Sequence, residues 1–162
     1  MKIVGHRLRD HIRLLLPMFV LLTTVWLLRL LLAFLNAPHW LFSIVSVTVT
    51  SSVCVMLAVL LIHVRRLGGY PNVVLVSLLV NLWAEGLIIL AILFSVLTGV
   101  ENIFTRPEYS LRIEDTHHFR HIYGHLTFGI GLGTLSGSAV GCLLLWLLRW
   151  LLPLPEGKTG SD

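Results

Sequence analysis

The amino-acid sequence predicts an all-α membrane protein, a bundle of four transmembrane helices with both termini in the cytoplasm. The first observation is composition: 56% of the 162 residues are hydrophobic and 12% are charged, about half the charged share of a soluble domain. A soluble chain of this length has too little interior to bury so much apolar surface. The other two observations are four long apolar stretches and an uneven distribution of basic residues along the chain.

The four apolar stretches each reach the roughly 20 residues that a helix needs to cross a hydrocarbon core of about 30 Å. Helices are expected because a barrel needs many alternating strands that close on themselves. The stretches form one transmembrane domain over residues 14–152, with predicted spans at about 14–35, 40–64, 73–97 and 122–152.

Three segments lie outside the spans. The basic segment 1–13 starts the chain like a secretory signal, but the apolar run after it is too long for a signal core and no small-x-small site follows. We therefore expect the first helix to be retained. The outward loop 98–116 contains Pro107, which argues against one continuous helix there. The tail 153–162 is short, polar and rich in Pro and Gly, and it is predicted to be a disordered cytoplasmic tail.

The basic residues indicate the orientation. Eight lie at the N-terminus, between spans two and three, and at the C-terminal end: Lys2, Arg7, Arg9, Arg13, Arg65, Arg66, Arg149 and Lys158. The opposite side carries three: Arg106, Arg112 and Arg120. This bias places both termini in the cytoplasm, and we expect a multi-pass protein of a bacterial inner membrane. The basic residues form no dense run with interleaved aromatics, so the net charge of +4 indicates lipid headgroups rather than nucleic acid.

Two charged residues, Arg29 and Glu85, lie well inside apolar stretches, where an unpaired charge costs several kcal/mol. At about 1.5 Å per residue they lie roughly 24 Å and 20 Å from the cytoplasmic boundary, so the two side chains are able to meet. Ser77, Asn81 and Glu85 recur every four residues and give span three a polar ridge that should face the interior. One interpretation is an ion or proton path with Glu85 as the protonatable group. The other is structural: either a buried ion pair that sets helix register, or an Arg29 side chain that snorkels outward while Glu85 is protonated.

Four histidines begin the last span. His117, His121 and His125 are spaced four apart, His118 joins them after nearly two turns, and Asp115 or Thr116 would cap a helix that carries all four. Such a helix exceeds the bilayer thickness, which places the histidines at the outer surface, level with His39 in the first outward turn.

Histidines at this spacing suggest two kinds of ligand. His121 and His125 with His39 or His118, near Glu101, Glu114 or Asp115, would suit zinc or copper. His121 or His125 would alternatively be an axial ligand of haem or another tetrapyrrole, which lies flat only where glycines such as Gly124 and Gly129 leave space. Interfacial polar side chains without a ligand are the third interpretation, and pH sensing is the fourth.

Four glycines continue the same ridge: Gly129, Gly133, Gly137 and Gly141. They form three overlapping GxxxG steps, and in lipid such a groove lets a partner helix approach closely. The partner helix belongs either to this chain or to another one.

Three classes of function agree with these features. The preferred class is a small integral membrane subunit, scaffold or assembly factor that docks through the glycine groove, and no nucleophile–base–acid set indicates catalytic activity. The second is a redox subunit that binds metal or haem through the outward histidines. The third is a small transporter or channel that uses Glu85 and Arg29. The expected partners are membrane lipids and other transmembrane helices, in a hetero-complex or a homo-oligomer.

Overall fold

The computed structural model describes residues 2–3, 6–105 and 118–152, which are mainly helical. Near the start, β1 (Lys2–Ile3) pairs antiparallel with β2 (His6–Arg7). The helices are α1 (Leu8–Phe34), α2 (His39–Ile44), α3 (Val47–Val64), α4 (Tyr70–Thr98), α5 (Phe119–Gly124) and α6 (Ile130–Leu151), and a π-helical segment (His125–Gly129) joins the last two. Four helical stretches in the described part are long and apolar enough to cross a membrane: His11–Phe34, Trp40–Val64, Tyr70–Thr98 and Phe119–Leu151.

Helices α3 and α4 form the centre of the bundle, because each packs against both α1 and α6. Aliphatic side chains of both helices are almost completely buried, including Val59 on α3 and Val76 and Ile92 on α4. Of these four apolar stretches, the one formed by α4 is the most buried and the last one is the least buried. Polar side chains on α4 are therefore the ones that the bundle encloses.

The second span, expected to be one helix over 40–64, is broken between α2 and α3. Ser46 ends the break as the N-cap of α3, and its hydroxyl accepts a hydrogen bond from the backbone N–H of Val49 at 3.4 Å. Serine is a preferred residue at this position because it can accept from a backbone N–H that the helix leaves unpaired. A break also leaves carbonyl groups unpaired, and inside a bilayer these need a donor from the protein.

Arg29 supplies that donor. Its guanidinium donates from Nη1 to the carbonyl oxygens of Val45 at 3.0 Å and Phe42 at 3.4 Å, and it lies 5.6 Å from the ring centroid of Phe104. Arg29 and Glu85 are therefore held by different partners, although their depths would allow them to meet. The guanidinium stabilises the junction between α2 and α3.

Two helix starts differ from the sequence-based expectation. Helix α1 begins at Leu8, inside the segment 1–13 that is expected to precede the span. His11, in this first part of α1, is buried, and its Nε2 lies 2.7 Å from Oδ1 of Asn72 on α4.

Helix α5 begins at Phe119, and His118 precedes it with a φ of 53°. His118 is therefore not on the helical ridge. The expected caps Asp115 and Thr116, together with His117, lie outside the described residues.

Candidate functional site

Glu85, in the middle of α4, is hydrogen-bonded to His125 at the start of the π-helical segment. Nδ1 of His125 donates to Oε2 of Glu85 at 2.5 Å, and the two side chains are 24% and 13% exposed. The other ring nitrogen of His125, Nε2, lies 3.1 Å from Nε2 of His121. A carboxylate and two imidazoles thus form a continuous row across the interface between α4 and the last span.

This row has a defined chemical capacity. An imidazole takes up a proton at one nitrogen and releases one from the other. When His121 transfers a proton to Nε2 of His125, Nδ1 of His125 can release its own proton to the carboxylate of Glu85. The row can therefore hold a proton and move it along three side chains.

The π-helical segment, residues 125–129, aligns His125 and Gly129 towards α4. In an α-helix, positions four apart drift around the axis by about 40°. A π-helix closes i→i+5 hydrogen bonds and so has more residues per turn, which changes this drift. His125 and Gly129 both lie against Glu85. Single π-helical turns inside α-helices are frequent at functional sites.

The glycine ridge of the last span packs against the polar ridge of α4. A Cβ on Gly129 would stand 2.6 Å from Cδ of Glu85, and one on Gly133 would stand 2.6 Å from Oδ1 of Asn81. Both distances are far below van der Waals contact, so the two carbonyl-bearing side chains occupy the space that a side chain would need.

The ridge continues towards the other end of α4. A Cβ on Gly137 would meet Oγ of Ser77 at 3.3 Å, and one on Gly141 would meet Cγ1 of Val73 at 2.7 Å. Each glycine thus faces an α4 residue one turn further along, in antiparallel register. The helix that approaches the glycine groove belongs to this chain.

A cavity of about 470 Å³ opens beside Glu85 between α3, α4 and the last span. Its polar lining residues are Thr48, Ser51, Ser52, Asn81, Glu85 and Ser136. The hydroxyls of Ser51 and Ser52 donate to the carbonyl of Thr48 at 2.8 and 3.2 Å, and that of Ser136 donates to the carbonyl of Leu132 at 2.8 Å. Because these donors are already used, the hydroxyl oxygens present mainly acceptor lone pairs to a molecule in the cavity.

Polar side chains also extend from Glu85 along α4. Nδ2 of Asn81 donates to the carbonyl of Ser77 at 2.8 Å, and Ser77 is fully buried. One turn and a residue further, Asn72 contacts His11. Sequence reasoning recognised Ser77 and Asn81 but missed His11 and Asn72, because the contact joins residues 61 positions apart and no spacing pattern connects them.

The predicted ligand histidines are not all brought together. His121 and His125 are in contact, His118 lies before the helix, and the side chain of His39 lies outside the described part of the chain. His125 is level with Glu85 on α4. Glu85 lies thirteen residues before Thr98, the last residue of α4, which is a distance of about 20 Å along the helix axis. The pair therefore lies deeper in the bundle than the sequence indicated. Over residues 2–3, 6–105 and 118–152, no group of three or more His, Cys, Asp or Glu side chains has the arrangement of a metal site.

Comparisons with known proteins add no functional relative. No protein-family model, no curated protein and no solved structure matches this chain.

Proposed function

We propose that this chain is an integral membrane protein that conducts protons through Glu85, His125 and His121, and that a small polar solute in the adjoining cavity modulates this conduction. The observation that carries the proposal is the row of two hydrogen bonds from Oε2 of Glu85 through both nitrogens of His125 to His121. Ionisable groups at mid-span are costly and are characteristic of proton relays. A role in helix register alone would need only one of the two hydrogen bonds.

The cavity beside Glu85 supplies the place for the solute. Its polar lining consists largely of acceptor oxygens, so it suits a small molecule or cation that donates hydrogen bonds. Glu85 lines this cavity and also receives the hydrogen bond from His125. The charge of the Glu85 carboxylate therefore acts both on the proton held by the histidines and on the molecule in the cavity.

The proposed orientation follows from the basic residues. Eight of the twelve lie on the side of the termini and the turn between α3 and α4, which we propose to be cytoplasmic, in a bacterial inner membrane. His121 then lies on the outward side of Glu85, and Asn81, Ser77, Asn72 and His11 follow on the inward side.

A role as an assembly subunit is less favoured by the packing. The four glycines that predicted a docking groove contact side chains of α3 and α4, so a foreign helix would have to displace α4. A subunit role would therefore use another face of the bundle.

The proposal is tested by proton flux into proteoliposomes that contain the purified chain and an internal pH-sensitive dye. A potassium gradient with valinomycin sets the membrane potential. We expect the wild type to take up protons, and we expect Glu85→Gln to lower the initial rate at least tenfold, because an amide of the same shape cannot accept the proton. His125→Gln should lower it similarly.

His118→Ala is the matched control, because it removes a nearby imidazole that is not part of the row. It should retain the wild-type rate. Equal rates for wild type, Glu85→Gln and empty liposomes would overturn the proposal. Stoichiometric zinc, copper or haem in the same preparation, lost with His121→Ala, would favour the metal or tetrapyrrole interpretation instead.

A further inference from the structure

A second cavity, of about 620 Å³, lies between the C-terminal halves of α1 and α4. It shares no lining residue with the cavity beside Glu85 and lies on a different face of α4. Its size is within the range of sites that hold drug-sized molecules, which are mostly apolar with a few placed polar groups.

The lining of this cavity is aromatic and aliphatic, with one charge. Trp26, Phe34 and Phe94 contribute three aromatic side chains, and Glu101 is the one charged residue among the described lining residues. The basic side chain nearest along α1, that of Arg29, is not a lining residue and donates to carbonyl groups of the α2–α3 junction. The electrostatic character of the cavity is therefore set by a carboxylate.

The position of Glu101 is held by its neighbour Asn102. Nδ2 of Asn102 donates to the carbonyl of Ala91 on α4 at 2.7 Å, and its Oδ1 accepts from the backbone N–H of Phe104 at 2.9 Å. The hydroxyls of Ser95 and Thr105, 3.2 Å apart, make a second link between this turn and α4. The turn therefore fixes the backbone of Glu101 beside the cavity, and the carboxylate is exposed.

We propose that this cavity binds a lipophilic monovalent organic cation. Aromatic faces attract cations through the ring quadrupole, and the attraction increases where water is excluded. The aliphatic lining removes the apolar body of such a ligand from water, and Glu101 supplies the opposite charge. This site is argued from the second cavity alone and does not depend on proton exchange at Glu85.

The test is equilibrium binding of radiolabelled tetraphenylphosphonium to the full chain in lipid nanodiscs, with empty nanodiscs subtracted. We expect saturable binding at one site per chain, and no saturable binding of tetraphenylborate, which has the same shape and the opposite charge. Glu101→Gln should raise the dissociation constant for tetraphenylphosphonium at least tenfold, whereas Glu101→Asp should change it less than threefold.

A second pair of variants tests the cavity itself. Leu90→Trp fills the cavity and should abolish binding, whereas Leu93→Trp, on the same helix outside the lining, should not change it. Elution volume and circular dichroism identify misfolded variants. Absence of saturable binding, equal binding of the cation and the anion as expected for a lipid-filled crevice, or an unchanged dissociation constant in both Glu101→Gln and Leu90→Trp would overturn the proposal.

Discussion

Gly129 and Glu85 illustrate how a missing side chain makes room for a neighbouring one. A Cβ placed on residue 129 would stand 2.6 Å from Cδ of Glu85. The carboxylate therefore occupies the space that a side chain at position 129 would need. Because Gly129 has no side chain, the carboxylate of Glu85 can reach Nδ1 of His125, which lies in the same π-helical segment as Gly129. The glycine therefore contributes space, and the π-helical segment contributes the alignment.

Gly129→Ala should displace the carboxylate and weaken its hydrogen bond to His125, because backbone and carboxylate cannot both keep their positions. Overpacking of this kind costs about 1–3 kcal/mol. We expect the ¹⁵N resonance of His125 Nδ1 to shift, and the proton flux to fall severalfold.

Gly131→Ala is the matched control for this change. A Cβ there would meet no atom within 4 Å, so the spectrum should stay as in the wild type. A wild-type His125 spectrum in Gly129→Ala would contradict the argument.

At the scale of secondary-structure elements, the interruption between α2 and α3 explains why the apolar helix α1 carries a charged residue, Arg29. Serine at position 46 favours a new helix start, and the carbonyl groups of Phe42 and Val45 face Arg29 instead of continuing a helical ladder. The sequence leaves three roles open for Arg29: a pair with Glu85, part of a transport path, or a side chain that snorkels outward. Its hydrogen bonds indicate a structural role at the junction.

Arg29→Leu should destabilise the bundle, because two acceptors in an apolar environment lose their donor. The cost of such unpaired groups is about 1–3 kcal/mol each. Unfolding in mixed micelles with increasing dodecyl sulfate should show a lower midpoint, and Arg29→Lys should restore part of it.

Arg65→Leu removes an exposed arginine at the end of α3 and serves as the control. Its unfolding midpoint should stay close to that of the wild type. If Arg29→Leu matched this control, the guanidinium would not stabilise the junction.

At the scale of the whole molecule, α4 separates two cavities of different character. One is lined by hydroxyl, amide and carboxylate oxygens and includes Glu85. Among the described residues that line the other, most are apolar, three are aromatic, and Glu101 carries the single charge. Packing of α4 against α1, α3 and α6 fixes which of its faces meets which cavity. The biological meaning of both sites depends on how the bundle is oriented in a membrane.

Orientation is tested with single-cysteine variants in a background that lacks Cys54 and Cys142. Pro38→Cys lies in the turn between α1 and α2, and Arg65→Cys lies in the turn between α3 and α4. With both termini in the cytoplasm, a membrane-impermeant maleimide should label position 38 in intact cells and position 65 only after permeabilisation. The reverse pattern would invert the proposed topology.

The sequence by itself determined the helical class and the approximate positions of the four apolar stretches. Composition and run length carry this information, since each stretch must shield its own backbone and present apolar side chains. The expected spans, such as 73–97 against the observed α4 (Tyr70–Thr98), differ by a few residues at their ends. The four-residue spacing also identified both ridges, that of the glycines and that of Asn81 and Glu85.

Only the tertiary structure decided which residues are partners. The contact between Glu85 and His125 joins positions 40 apart, and the donors of Arg29 go to carbonyl groups 13 and 16 residues away. Periodicity reports the face of a helix on which a residue lies, but not the rotation of that helix against its neighbours. That rotation depends on close packing of glycines against α4 and on a π-helical turn, which a composition or spacing pattern does not encode.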